Sequence, residues 1–576
     1  MIIEELNQEL REAVKKLSKE RDLDIIPKNK YIEFEISDDI NRAHFSSSSP
    51  LKLAKFFKTN PVELAKDISA KINHKAISKY SVEGAGFINI FINKNYISDE
   101  VKKVLKYNEE WGKKKLKKER VLVEFVSSNP TGPLHIGHAR GAVLGNIISN
   151  LLSNQGHEVT KEYYVNDAGR QINILALSIM LETFQNKINK EGLYQGSYIK
   201  DLAKKFMEAK LVDEINNPLD KFSDDPDERI DQLISHYKKD SPKTWIQIRY
   251  FSVNEMIKLI KDDLLRMGIL HDEWFYESSL GSIEKKGSSV TKALDELVKS
   301  KNTFEKDGAI WFEGTKYGDD KDRVLLRANK EPTYYLTDVG YHKDKIDRNY
   351  DHYINIFGAD HHGYVTRLTS AFNLIKKPNQ NIEHILYQLV NLYEGGRKNT
   401  MSTRKGKFLS LNDLLSEYNS DLIKFFFLEK KYDHEIDFDT KLAKENSKNN
   451  PYFYTMYAYV RSCSILEKRK PNLDKNLDKN ELIKNYDLLS KIINFPIYLE
   501  KFTLERSPHS LVHFTKELAA NYHSFYEQNP VITDNQEESN ARLLITQATS
   551  IVLKNSFKIR NIADLENSGR RDVSFF

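Results

Sequence analysis

The chain has 576 residues, 40% hydrophobic and 30% charged, with 88 Lys and Arg against 83 Asp and Glu for a formal charge of +5. That length exceeds a single core and predicts three or four domains of roughly 100–200 residues, while no apolar stretch approaches the ~18 residues of a membrane span. The sole cysteine, Cys463, excludes a disulfide framework and a cysteine-based zinc site, and the near-balanced charge does not by itself announce nucleic acid.

The N-terminus carries apolar residues at helix spacing (Ile2, Leu6, Leu10, Val14, Leu17) without the order of a signal peptide, so a cytoplasmic protein is expected. In SVEGAGFINIFIN, Gly84 and Gly86 begin a dinucleotide-loop pattern that fails at Asn89. The alternation Phe87, Asn89, Phe91 is that of a strand. The basic run at 113–120, KKKLKKER, reads as a solvated linker.

From Val121 the pattern becomes strand, helix, strand. Val121–Val126 is a compact apolar run, and Val143, Leu144, Ile147, Ile148, Leu151 and Leu152 mark a helix face that ends by Gly156. EVTKEYYVN reads as a second strand and DAGRQINILALSIM as a second helix. This alternation predicts a parallel, doubly wound sheet with its site at the carboxyl ends of the strands. Residues from about 180 to 320 are polar and helical in pattern, an insertion, after which DRVLLRA, TYYLTDVG and HYINIFGADHHGY resume the α/β pattern, with Tyr334 by itself explained as well by an ordinary strand aromatic. A basic loop, RKNTMSTRKGKFLSL, follows Gly395 and Gly396. Beyond about 445, stripes such as Leu511, Phe514, Leu518, Tyr522 and Phe525 predict a helical bundle, with Cys463 as a small apolar residue on one of its helices.

The joint between the first strand and helix, SNPTGPLHIGHARG, holds two histidines, three glycines and two prolines. A helix that begins just after a strand exposes backbone N–H groups and the positive end of its dipole, which suits a phosphate. If the helix starts near Gly137, His135 and His138 face the same side, and Gly137 leaves room for a flat ligand. An isolated HxGH would be explained as well by loop histidines in an ordinary βα turn. GADHHGYV invites a metal, but three consecutive residues on a strand alternate between faces and no further His or Cys lies at ligand spacing. Zinc is therefore not expected.

His135, Ile136, Gly137 and His138 spell the HIGH signature of class I aminoacyl-tRNA synthetases, and the segment from Thr400 to Lys405 resembles their downstream Lys-Met-Ser-Lys-Ser signature. EFVSSNPTGPLHIGHARG, YYVNDAGRQI, YYLTDVGYHKDK, GADHHGYV and NPYFYTMYAYVRSCSI resemble segments of the arginyl-tRNA synthetase family, and the likeness covers nearly the whole chain. It implies ATP-dependent activation of L-arginine to arginyl-adenylate and transfer to the 3′-terminal adenosine of tRNA(Arg). ATP would come with Mg²⁺, and tRNA would bind before activation. It also implies an α/β protein with a Rossmann-type parallel-sheet catalytic domain, an α+β N-terminal domain and an all-α C-terminal helical bundle. The corresponding ranges are 1–110 at the tRNA elbow, 111–395 for catalysis, 396–445 for the mobile signature loop and stem contacts, and 446–576 for the anticodon. A monomer is expected.

The resemblance assigns catalysis to His135, His138 and Lys405. It assigns ATP to Pro133, Gly137, Gly358, Asp360, His362, Met401, Ser402 and Arg404 with the two histidines, within a signature motif running from Ser128 through Asn129, Pro130, Thr131, Gly132 and Leu134 to His138. For arginine, selecting a guanidinium over an ammonium requires fixed, forked acceptors. The family positions are Asp338 with Tyr334 at the guanidinium, and Glu124, Ser127 and Asn129 nearer the α-amino end. Both signature-loop lysine positions hold threonine, Thr400 and Thr403, and Gly132 stands where some relatives carry an offsetting lysine, which leaves Lys405 for the pyrophosphate. Among Tyr452, Tyr454, Tyr457 and Tyr459, most are expected to pack helices and the remainder to stack on RNA bases. A smaller adenylyl transferase with the same turn would need neither flanking domain, and a dead relative should have lost the histidines.

Overall fold

The computed structural model describes residues 2–23, 29–37, 39–114, 118–184, 188–209, 222–394, 397–399 and 410–562. Thr400 to Lys407, and with them the site candidates Met401, Ser402, Arg404 and Lys405, lie outside the described residues.

The first helix forms over Ile2–Glu20 and buries Ile2, Leu6, Leu10, Val14 and Leu17, whose spacing lines one face. A four-stranded antiparallel sheet accompanies it, in the order Glu35–Ile36, Phe45–Ser47, Phe87–Ile92, Ile77–Glu83. The start of the basic run is not a solvated linker. Lys114 Nζ lies 3.0 Å from Glu4 and 2.7 Å from Glu500, tying the first helix to the C-terminal bundle. Just before it, Trp111 Nε1 donates to the Ile492 carbonyl at 3.0 Å.

Five strands make the central sheet: β1 Arg120–Glu124, β2 Glu158–Val165, β3 Glu273–Tyr276, β4 His352–Gly358 and β5 Asn381–Tyr387. Their order is β5-β4-β1-β2-β3, and every pair is parallel. Such strands are covered on both faces, which is why Val121, Leu122 and Val123, or Tyr353, Ile354 and Ile356, are buried in succession rather than in alternation. Helices α1 Ile136–Asn154 and α2 Gly169–Thr183 follow β1 and β2; α3 Tyr334–Asp347 precedes β4 and α4 His362–Ile375 follows it. Chain order reverses direction between β1 and β4, so a crevice opens at their carboxyl ends.

Three sequence expectations change. The insertion is helical over Ser197–Glu208, Pro226–Asp240 and Pro242–Arg266, but β3 and two strands of an antiparallel sheet, Thr303–Lys306 and Ala309–Phe312, also fall within 180–320. DRVLLRA joins that antiparallel sheet through Arg323–Leu326. TYYLTDVG is the start of α3, because the Thr333 side chain caps the Leu336 N–H and sets a helix going. The C-terminal bundle runs from Pro451–Lys468 to Gln536–Ile559 and buries the stripe Leu511, Phe514, Leu518, Tyr522 and Phe525. Cys463 is half-buried on its first helix, with Sγ 3.8 Å from Ser550 Oγ.

Candidate active site

At the end of β1 the backbone turns through two residues of positive φ, Val126 at 69° and Ser127 at 40°. Left-handed backbone costs a non-glycine residue about 1–2 kcal/mol, more for a β-branched one, so the turn is held by its surroundings. Ser127 Oγ donates to Glu124 Oε1 at 2.9 Å and accepts from the Tyr164 N–H at 3.1 Å. Ser128 meets the Tyr163 hydroxyl at 2.8 Å, and Asn129 Nδ2 donates to Gln171 at 2.8 Å. Both pairs join the turn to the β2 and α2 side of the crevice.

Helix α1 begins one residue before Gly137, with His135 as its N-cap. His135 Nδ1 accepts from the Gly137 N–H at 3.1 Å, and His138 Nδ1 accepts from the His135 N–H at 3.4 Å. The two rings stack with centroids 3.6 Å apart. Since each Nδ1 accepts, each Nε2 carries the proton and is the free donor. Burial lowers both pKa values, that of His138 to about 3 with the neighbouring His135 adding to the effect, so the pair is neutral near pH 7. The site thus meets an anion with oriented N–H dipoles and a helix terminus rather than with imidazolium charge. Behind it, Gly145 lets α1 close on β1: a Cβ there would stand 2.2 Å from the Phe125 ring. In front, Ser410, the first described residue after the signature loop, bridges His135, and the Leu411 N–H donates to the Leu134 carbonyl at 2.7 Å.

His135, Gly137 and His138 open onto a cavity of about 670 Å³. It is also lined by Glu124, Ser127, Ser128, Asn129, Asp338, Gly358 and Asp360, which gathers ten of the sequence candidates in one place. A larger cleft, about 900 Å³, lies between the N-terminal unit and the bundle, and no strand of the parallel sheet lines it. Among the described ATP and arginine candidates, three do not line the smaller cavity. Tyr334 stands on the same face of α3 as Asp338, one turn earlier, but is 73% exposed. His362 is exposed and its neighbour His361 lines the cavity instead, because GADHHG is a short 3₁₀ turn leading into α4 and not a strand. Pro133 is half-buried in the turn before His135.

One end of the cavity is acidic. Tyr364 Oη donates to Asp338 Oδ2. Burial pushes the Asp338 carboxyl up to about 7, opposed by that hydrogen bond and assisted by the charges of Glu277 and Glu124. Glu277 bonds to Tyr164, and in the orientation that satisfies both its ends the Asn166 amide donates to Glu277 Oε2 at 3.1 Å. Burial raises the Glu277 pKa as well. Glu162, by contrast, is fully buried and bound by Arg348 at 2.5 Å and by Tyr341 at 2.6 Å, so its charge is already matched. Glu277, Tyr164, Asn166, Tyr341 and Tyr364 escaped the sequence reading. The carboxyl end of β2, where Tyr164 and Asn166 sit, was the available signal. Among the described residues no group of three or more His, Cys, Asp or Glu side chains is placed to hold a metal ion.

Three family models match the chain in succession. They are the arginyl tRNA synthetase N terminal domain over residues 4–92, the catalytic domain of tRNA synthetases class I (R) over 100–447, and the DALR anticodon binding domain over 455–567. The arginine–tRNA ligase of Vesicomyosocius okutanii subsp. Calyptogena okutanii (strain HA) is 35% identical over 572 residues, covering 97% of this chain and 98% of its own. That of Bacillus subtilis (strain 168) is 36% identical over 499 residues, 85% of each chain. The fold is similar to that of the Thermus thermophilus arginyl-tRNA synthetase, with a TM-score of 0.74 at 18% identity over 98% of this chain and 99% of that one.

Proposed function

The chain belongs to the class I arginyl-tRNA synthetase family, and from that premise we propose how its cavity activates L-arginine with ATP and passes it to the 3′-terminal adenosine of tRNA(Arg). ATP lies across the start of α1, its phosphates accepting hydrogen bonds from the Nε2–H groups of His135 and His138, and its adenosine lies toward Gly358 and Tyr387. The guanidinium lies between Asp338 and Glu277, whose separate elements offer the forked acceptors that an ammonium could not fill. Glu124, Ser127 and Asn129 take the α-amino end.

In this arrangement the arginine carboxylate attacks the α-phosphorus in line and pyrophosphate leaves. Catalysis is then positioning plus charge stabilisation, and no covalent enzyme intermediate forms. Lys405, with Met401, Ser402 and Arg404, closes from the signature loop onto the departing pyrophosphate; the bridge from Ser410 to His135 supports this, since it brings the end of that loop to the turn. Mg²⁺ arrives chelated by the ATP phosphates, in keeping with its preference for phosphate oxygen and water. In the second step the ribose 2′-hydroxyl of the terminal adenosine attacks the arginyl carbonyl and AMP departs.

On the bundle, Tyr452 and Tyr459 are buried packing residues. Tyr454 and Tyr457 flank His523, and the Arg461 guanidinium lies 4.4 Å from the rings of both Tyr457 and Tyr526. This aromatic and cationic surface suits unstacked anticodon bases. No described helix is long and apolar enough to cross a membrane, and the reading places a monomeric enzyme in the cytoplasm with its tRNA. The stacked, neutral histidine pair facing an acidic pocket across one cavity carries the proposal. The test is aminoacylation of unfractionated tRNA with each amino acid in turn, plus ATP–pyrophosphate exchange with and without tRNA. Arginine alone should be esterified, with exchange dependent on tRNA. Absence of an arginine product would overturn the reading.

A further inference from the structure

Behind the amino-acid end of the cavity runs an unbroken line of buried polar groups that the reaction scheme does not use. Lys345, on α3, has a side chain with no exposed surface. Its Nζ donates to Glu124 Oε2 at 2.5 Å and to Asn355 Oδ1 at 2.9 Å, and sits 4.3 Å from the centre of the Tyr341 ring. Asn355 Nδ2 donates in turn to His342 Nε2 at 3.0 Å, and His342 Nδ1 donates to the Asp338 carbonyl at 2.9 Å. Glu124 is therefore held at both oxygens, by Lys345 on one and Ser127 on the other, and the line ends on the residue that faces the guanidinium.

A buried ion pair is poor value for stability, since an apolar pair of similar volume usually serves as well or better. Its retention beside the substrate needs another reason. Held from two sides by donors on different elements, the Glu124 carboxylate keeps one orientation. The two donors also leave lone pairs of a fixed Glu124 carboxylate directed into the cavity. We propose that Lys345 is a positioning residue for amino-acid recognition, which orients Glu124 so that the α-ammonium of arginine is bound and distinguished. The proposal rests on the assignment of Glu124 to the α-amino end.

The test compares L-arginine with 5-guanidinopentanoate, which lacks only the α-amino group, in calorimetric titrations of the full-length enzyme. The wild type should prefer arginine by about 10-fold or more, the worth of one charge-assisted hydrogen bond. Lys345→Met should shrink that ratio to about 2-fold while leaving the deamino compound within about 3-fold of its wild-type affinity, and Lys345→Arg should restore part of the preference. Should the methionine variant not fold, Lys345→Gln keeps a hydrogen bond to Glu124, removes the charge, and is read by the same ratio. Loss of both ligands by an equal factor, or of neither, would overturn the role of Lys345. A wild-type enzyme that binds the two compounds equally would instead overturn the assignment of Glu124, and the proposal with it.

Discussion

Arginine affinity should depend on pH through Asp338. Its carboxyl is pushed up to about 7 by burial and by Glu277 and Glu124, yet only the carboxylate can pair with a guanidinium. The ionised fraction is then roughly one tenth at pH 6, one half at pH 7 and nine tenths at pH 8, and apparent affinity scales with that competent fraction. The dissociation constant for arginine should fall nearly 10-fold from pH 6 to pH 8 and level off above. ATP affinity provides an internal control, because His138 stays neutral with its pKa near 3 and that of His135 is also lowered. Linkage gives an independent readout. A carboxyl whose folded pKa exceeds its ordinary value favours the folded state in acid, and that contribution is lost as pH rises through about 7. Arginine, by pairing with the carboxylate, offsets the loss, so its thermal stabilisation of the protein should be larger at pH 8 than at pH 6. Asp338→Asn should flatten the profile and weaken arginine binding by about 3–5 kcal/mol, the cost of leaving a buried charge unmatched. Calorimetric titration at constant ionic strength measures all of this. A wild-type dissociation constant that stays level between pH 6 and 8 would refute the reasoning.

A methyl group at Gly137 would stand 3.0 Å from His135 Cε1 and 3.1 Å from Nδ1. Gly137→Ala should tilt that ring and raise the KM for ATP about 10-fold, while arginine binding, followed by titration, holds within 2-fold. Gly145→Ala drives a methyl into the Phe125 ring at 2.2 Å; overpacking of about 1–3 kcal/mol should exceed the ~1 kcal/mol gained in helix propensity and lower the midpoint of thermal inactivation. Lys405→Ala should reduce ATP–pyrophosphate exchange by about 100-fold with tRNA affinity unchanged in filter binding. A variant that lost only tRNA affinity would show that the division of labour between turn and loop is drawn wrongly.

Some of this was legible because its signals are local. Ile2 to Leu17 and the Leu511 to Phe525 stripe carry helix spacing in the residues themselves, and the expected helix start near Gly137 lies within one residue of the start of α1. TYYLTDVG misled because a short apolar run suits strand or helix alike, and the Thr333 cap was the deciding detail. The basic run misled because charge at 113–114 says nothing of Glu4 or Glu500, which reach Lys114 from two other units.

By itself the sequence determined the order of strands, helices and turns over most of the chain, the nucleotide turn, and the chemical class of the pocket. The order of elements depends on periodicity and capping within a few residues, whereas the turn and the pocket class were legible through motifs that resemble those of the family. Tertiary structure alone added Glu277 to Glu124 and Asp338 and decided which buried groups pair with the acids around the pocket. Lys345 meets Glu124 across 221 positions of the chain, and Tyr341 meets Glu162 across 179. Such pairs exist because the strand order β4-β1-β2 brings carboxyl ends side by side, and α3 packs against them. Register between distant strands is set by burial of the whole sheet, and no local pattern encodes it.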